Sequence, residues 1–209
     1  MCTLPLLDRV CRESYNDPRE VYDTLKRRGM DLVTVTDHDS IEALDSLARH
    51  TDFFLSEEVI DRMLERGTFL VPTLTALHRI LEHGEEGGIP AFMVAKSRRC
   101  ADAQIASVRR AHRAGVPIAA GTDGGTPFNP HEDLATELEL LVKVGLTPAQ
   151  ALLSATSVAA SVLGLSDEIG TVEPGKRADL VVLGADPLAD IGAVRDVRLV
   201  ISAGRIVEF

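Results

Sequence analysis

Gly121-Thr122-Asp123-Gly124-Gly125 follows the apolar run Val116-Pro117-Ile118-Ala119-Ala120, so one carboxylate falls where a short buried strand gives way to a flexible loop. Thr36-Asp37-His38-Asp39 follows a second apolar run, Leu32 to Val35, in the same manner. In α/β barrels the carboxyl ends of the strands are where active sites are built. A carboxylate and a neutral imidazole are ligands for zinc, manganese or iron. A bound cation of that kind lowers the pKa of its water to about 7 and polarises a scissile carbonyl. Asp123 and His38 therefore imply metal-dependent hydrolysis, with Asp37 available as a further carboxylate.

Each residue also has a plainer reading. Asp123 stands before two glycines, where aspartate is a common turn residue. Asp39 or Ser40 can cap the helix that follows, leaving His38 merely to end a strand. His78, His83 and His112 share no ligand spacing and read as surface or helix-face residues, and nothing marks Lys96 as more than one lysine of a helix.

The elements that must position these residues alternate along the chain. Asp17-Pro18 opens a helix that runs to about Arg28, before Gly29. A strand over 32–36 and a helix from about Ser40 to Arg49 follow, with a short strand-like stretch at Asp52–Leu55. Ser56 caps the next helix, Glu57 and Glu58 favour its positive end, and Gly67 closes it. Residues 69–73 read as a strand, His83 to Pro90 as a loop, Met93 to Ala114 as a helix ended by Gly115, and 117–121 as the strand leading to Asp123. A helix over 132–143 ends at Gly145, Thr147-Pro148-Ala149-Gln150 is a capping box for another, and a last helix is expected over Ser157–Leu163. After about Gly170 the pattern turns to strands, at 179–183, 199–203 and 205–209, with Ala203-Gly204 as a turn.

Composition excludes several classes of partner. The 209 residues are 45% apolar, enough for a substantial core. They carry 22 basic against 32 acidic side chains, a formal charge of −10, which argues against nucleic acid and anionic membranes. Cys2, Cys11 and Cys100 have no disulfide-like or ligand-like spacing, so a reducing, cytoplasmic compartment is expected. No leader-like succession opens the sequence, and no apolar run approaches the roughly 20 residues of a membrane helix.

From about Ile60 onward the chain resembles the C-terminal part of the amidohydrolase superfamily, in its imidazolonepropionase- and prolidase-like branch. The matching segments are Arg66-Gly-Thr-Phe-Leu-Val-Pro-Thr-Leu74, Ala111-His-Arg-Ala-Gly-Val-Pro-Ile118, Gly121-Thr-Asp-Gly-Gly125, Glu137-Leu-Glu-Leu-Leu-Val142, Gly145-Leu-Thr-Pro-Ala149, Ala155-Thr156 and Gly170-Thr-Val-Glu-Pro-Gly-Lys-Arg-Ala-Asp-Leu-Val-Val182. The resemblance implies that Asp123 ends the last barrel strand, ligates a metal and takes a proton from the metal-bound water. It also implies that His131, in the loop that follows, lies near the substrate; the plainer reading is a loop histidine before a helix. The first 58 residues resemble part of a PHP-type metallophosphoesterase domain through Tyr15-Asn-Asp-Pro-Arg-Glu-Val-Tyr22, Lys26-Arg-Arg-Gly-Met-Asp31, Thr34-Val-Thr-Asp-His-Asp-Ser-Ile41 and Ser56-Glu-Glu-Val59. That resemblance implies metal ligation by His38 and Glu58, the latter otherwise a first-turn helix acid.

Both families use a His-x-His pair, and the sequence contains none. An eight-stranded barrel typically needs about 250 residues, more than precede the tail. The expected fold is therefore α/β, an open or partial (β/α) barrel-like parallel sheet followed by a small β-rich region. The expected division is a partial PHP-like segment at 1–58, an amidohydrolase-like β/α part at 59–169 and a β-rich tail at 170–209. The function expected is metal-dependent hydrolysis of C–N bonds in a small-molecule substrate, with zinc, manganese or iron as cofactor and weak activity because ligands are missing. The alternatives are a phosphoesterase, or a non-enzymatic remnant or subunit completed by a partner chain; exposed sheet edges favour a homo-oligomer.

Overall fold

The computed structural model describes residues 55–126 and 128–208. The expected strand 32–36, its flanking helices and the His38 cluster lie outside the described residues.

Helix α1, Glu57–Arg66, starts where expected: the Ser56 hydroxyl accepts from Val59 N at 3.3 Å, and Gly67 ends the helix in the left-handed conformation. It buries Ile60 and Met63 against Ala111 and Val116. The chain then extends through Leu70, which pairs in parallel with Ile118. Leu70 N donates to Pro117 O at 2.9 Å, and Ala119 N donates to Leu70 O at 2.9 Å. The expected parallel strands at 69–73 and 117–121 are thus adjacent, but they share a single bridge. Proline explains why the ladder stops. Pro72 has no N–H to donate, its carbonyl accepts from Gln104 Nε2 at 2.9 Å, and Ala120 N turns away to Ser154 O.

Helix α2, Leu74–His83, was not foreseen, and it begins without a cap of its own: Thr73 sits at φ 47 and makes no side-chain cap bond. Helix α3, Ala91–Ala114, starts two residues before the expected Met93 and ends on Gly115. Helix α4 runs Leu134–Val144, with Asp133 as N-cap. Helix α5, Pro148–Ala155, carries the full capping box, in which Thr147 N donates to Gln150 Oε1 at 2.8 Å while Gln150 N donates to the Thr147 hydroxyl. Helix α6 covers Ser157–Val162. The main core joins these pieces: Leu74, Val108, Ile118, Leu138, Leu141, Val144, Leu146, Ala151 and Ile191 form one buried cluster.

The tail is β-rich as expected, and its strands β1 (Leu180–Leu183), β2 (Val197–Ser202) and β3 (Arg205–Val207) form an antiparallel sheet in that order. Ile201 faces Leu180 on one side and Ile206 on the other. Ala203 at φ 47 and Gly204 at φ 78 make the tight turn whose twist suits a two-residue hairpin. Between β1 and β2, a 3₁₀ turn at Ile191–Arg195 sends Ile191 into the helical core. The α/β character holds. Among the described residues the parallel pairing is one bridge, and no barrel closes.

Candidate functional site

The loop from Gly121 to Asp133 leaves the carboxyl end of the second parallel segment. The two segments approach so closely here that a Cβ on Gly121 would lie 2.6 Å from Val71 Cγ1. Any side chain here would have to displace Val71. Asp123 is exposed and adopts φ 53, a left-handed conformation that few residues other than glycine accept. Inside the loop lies Asn129, 1% exposed, whose Nδ2 donates to Thr122 O at 2.6 Å and to Asp123 O at 3.0 Å. Gly125 N donates to Asn129 O at 2.8 Å. His131 returns over the same turn: a Cβ on Gly124 would stand 2.9 Å from His131 Nδ1, and one on Gly125 would stand 3.5 Å from its ring. The loop thus brings the exposed His131 imidazole against the peptide that follows Asp123.

Two side contacts hold the loop to the helices. Phe128, also left-handed at φ 58, stacks on His83 at the end of α2, with ring centroids 4.0 Å apart and planes at 19°. Asp133 closes the loop as a charged hub. It receives Arg79 from α2, Arg195 Nη1 at 3.3 Å and the Thr136 hydroxyl at 2.8 Å, while Arg195 Nε reaches Glu139 at 2.8 Å. Burial pushes the Asp133 carboxyl up, but the bonds from Arg79 and Thr136 outweigh it and hold the group below the usual carboxylate range.

Glu137, which no local motif marks, is the most deeply placed carboxylate among the described residues. It is 0% exposed, and it accepts from Leu74 N at 3.1 Å, Thr75 N at 2.8 Å and the Thr75 hydroxyl at 2.6 Å. It is the missing cap of α2, supplied from α4. Burial pushes its pKa up, and the Thr75 and Leu74 bonds only partly oppose that rise. One signal in the sequence pointed to it: Glu137 lies one turn before Leu141 on the apolar stripe of its helix.

The expected site residues fall out unevenly. Asp123 and His131 come together in one loop. Glu58 is exposed in the first turn of α1, suited to the helix dipole, and joins Asp123 in no hydrogen bond or ion pair among the described residues. An exposed carboxylate at a strand's carboxyl end is a donor that suits a divalent cation. Among the described residues, however, no three His, Cys, Asp or Glu side chains gather as a metal-holding group. These residues fit one corner of a metal site and not a whole one. Among them, too, no helix is long and apolar enough to cross a membrane.

A carboxylate-bearing loop at the carboxyl end of a parallel segment is the local arrangement on which α/β barrels build their sites. The comparisons name the family. A model of the amidohydrolase family matches residues 21–207, and the chain belongs to that family. It is 32% identical to the imidazolonepropionase of Geobacillus kaustophilus over 126 residues, covering 58% of this chain and 30% of the relative. A Bifidobacterium longum structure provisionally assigned as a prolidase is 40% identical, with a TM-score of 0.70, covering 75% of this chain and 40% of that one. A Xaa-Pro dipeptidase with methionine bound in its active site is 30% identical with a TM-score of 0.68, covering 92% of this chain and 48% of that one. The chain therefore spans less than half the length of these relatives. The family match begins at residue 21 and so takes in most of the stretch that looked PHP-like. That second resemblance finds no support: a strand run followed by Thr-Asp-His-Asp is too short to separate one strand-end ligand pattern from another.

Proposed function

We propose that this chain is hydrolytic machinery of the amidohydrolase type, acting on an amide or cyclic amide C–N bond of a small-molecule substrate with a divalent metal, zinc, manganese or iron. The observation that carries this reading is Asp123: exposed, at the carboxyl end of the parallel segment, and held in an uncommon backbone conformation by its own loop. Membership of the family and likeness to an imidazolonepropionase and a Xaa-Pro dipeptidase support an amide-type substrate.

In this reading the Asp123 carboxylate would hold the metal, and one of its oxygens would take up the proton of a nucleophilic water. His131, packed on Gly124 and Gly125, faces the substrate as a hydrogen-bond partner for its polar end. His38 is the second ligand candidate by its sequence pattern alone, and Glu58 is the weaker candidate because it already serves its helix. A bound metal supplies Lewis-acid polarisation of the scissile carbonyl and a nucleophilic water near neutral pH. The absence of a metal-holding trio among the described residues favours a second reading, in which the chain is weakly active alone and a further chain, a second copy included, completes the site.

The test is direct. The purified chain is loaded with zinc, manganese or cobalt, its metal content is measured, and acyl dipeptides, cyclic amides, lactones and phosphoesters are offered. Amide hydrolysis lost in Asp123→Asn upholds the first reading. Bound metal with no turnover, together with a monomeric sedimentation coefficient, upholds the need for a partner. Phosphoester turnover without amide turnover overturns both.

A further inference from the structure

The geometry points to Asn129 as a positioning residue that fixes the direction of the Asp123 side chain, a role that rests on the reading of Asp123 as a metal ligand. A left-handed backbone at a residue with a β-carbon persists only where its surroundings over-determine it. At Asp123 the surroundings are largely one carboxamide. Thr122 O belongs to the peptide plane before the Asp123 Cα, and Asp123 O belongs to the plane after it. Asn129 Nδ2 donates to both, at 2.6 Å and 3.0 Å. Pinning both planes fixes φ and ψ of the residue between them, and with them the Cα–Cβ direction along which the carboxylate is presented.

The rest of the loop tightens the same clamp. Asn129 Nδ2 also lies 3.2 Å from the Thr126 hydroxyl, which itself donates to Asp123 O at 3.2 Å. Asn129 N donates to Thr126 O at 3.0 Å, and Gly125 N to Asn129 O at 2.8 Å. The amide can stand only this way round, because a flip would set Oδ1 against two carbonyl oxygens. Its Oδ1 has no hydrogen-bond partner among the described residues. Aspartate, the same shape with oxygens in both places, cannot do the task.

The experiment uses the full chain and zinc alone as the probe. Calorimetric titration of wild type, Asn129→Asp, Asp123→Asn and the double variant forms a cycle. Asn129→Asp is expected to weaken zinc binding by about 10–100-fold, the range for losing a group that orients a metal ligand. Added to Asp123→Asn, it is expected to cost nothing further, because its effect runs through the carboxylate already removed. Equal losses in both backgrounds would overturn the role. A second arm needs no metal: amide hydrogen exchange should quicken in the loop at Gly125, whose N–H donates to Asn129 O, in Asn129→Asp while α4 keeps wild-type protection. If wild type binds no zinc, or Asp123→Asn binds none, this arm decides alone. Unchanged loop exchange, or quickening that spreads equally into α4, overturns the clamp; quickening confined to the loop, with no zinc bound by wild type, overturns the metal reading and leaves the clamp standing. Should Asn129→Asp fail to fold, Asn129→Ala, which removes the donor without adding charge, carries the same measurements.

Discussion

At the scale of single residues, the chain separates those that could do chemistry from those that hold them. Asp123 was legible because a lone carboxylate after an apolar run and before paired glycines is a pattern in neighbouring residues. Asn129 was not, because its role exists only once the loop closes and brings its amide under carbonyls six and seven residues back. Glu137 was half legible: its place on an apolar stripe could be read, but its partners lie 62 and 63 residues away. Removing it is expected to be costly. Glu137→Ala leaves the first N–H groups of α2 without an acceptor and should lower stability by about 1–3 kcal/mol, the cost of unpaired buried groups. Glu137→Gln keeps one acceptor and should lose less. Chemical denaturation of both variants would show the order, and equal stability to wild type would deny the cap. Asp123 is exposed and packs against little, so Asp123→Asn should leave the melting temperature within a degree or two while lowering bound metal.

At the scale of elements, local signals served well wherever a helix supplied its own ends. Ser56 with Gly67, the Thr147–Gln150 box and Gly115 each mark a boundary that the structure keeps. α2 escaped notice for the opposite reason. Its residue at the cap position is left-handed and makes no cap bond, and the acceptors arrive from another helix. The parallel segments were legible as strands but not as a one-bridge pair, since proline's effect depends on which edge of the segment faces its neighbour. Two changes test these accounts. Thr147→Ala should cost about 1 kcal/mol, the typical value of an N-cap, measured by denaturation. Gly121→Ala, whose Cβ would meet Val71 Cγ1 at 2.6 Å, should lower stability by forcing the Val71 side chain to move, measured by denaturation; wild-type stability would mean that the two segments are not in close contact.

At the scale of the whole molecule, pH and heat act on the same buried charges. The Glu137 carboxyl is raised from its ordinary 4.5, so the folded state holds its proton longer than the unfolded chain does. Its contribution is full below 4.5 and is lost as pH climbs through the raised value. The Asp133 carboxyl is lowered from 3.8, so its contribution is present above 3.8 and is lost as pH falls through the lower value. Melting temperature should therefore peak in mildly acid solution and fall on both sides. Glu137→Gln should flatten the high-pH side alone, and an unchanged slope there would contradict the burial of that carboxyl. The apolar core shows the more ordinary dependence: Leu141 is 0% exposed, and Leu141→Ala should cost about 2–5 kcal/mol. The tail looked like a unit of its own in sequence, because secondary structure changes character near residue 170. Yet Ile191 is buried in the helical core, and Arg195 reaches back to Asp133 and Glu139. A boundary of architecture is then not a boundary of cooperativity. Heated in a calorimeter, helices and sheet should melt as a single all-or-none event, with the van't Hoff enthalpy equal to the measured heat, and cutting the chain near Gly170 should yield two pieces, neither of which melts with a sharp transition.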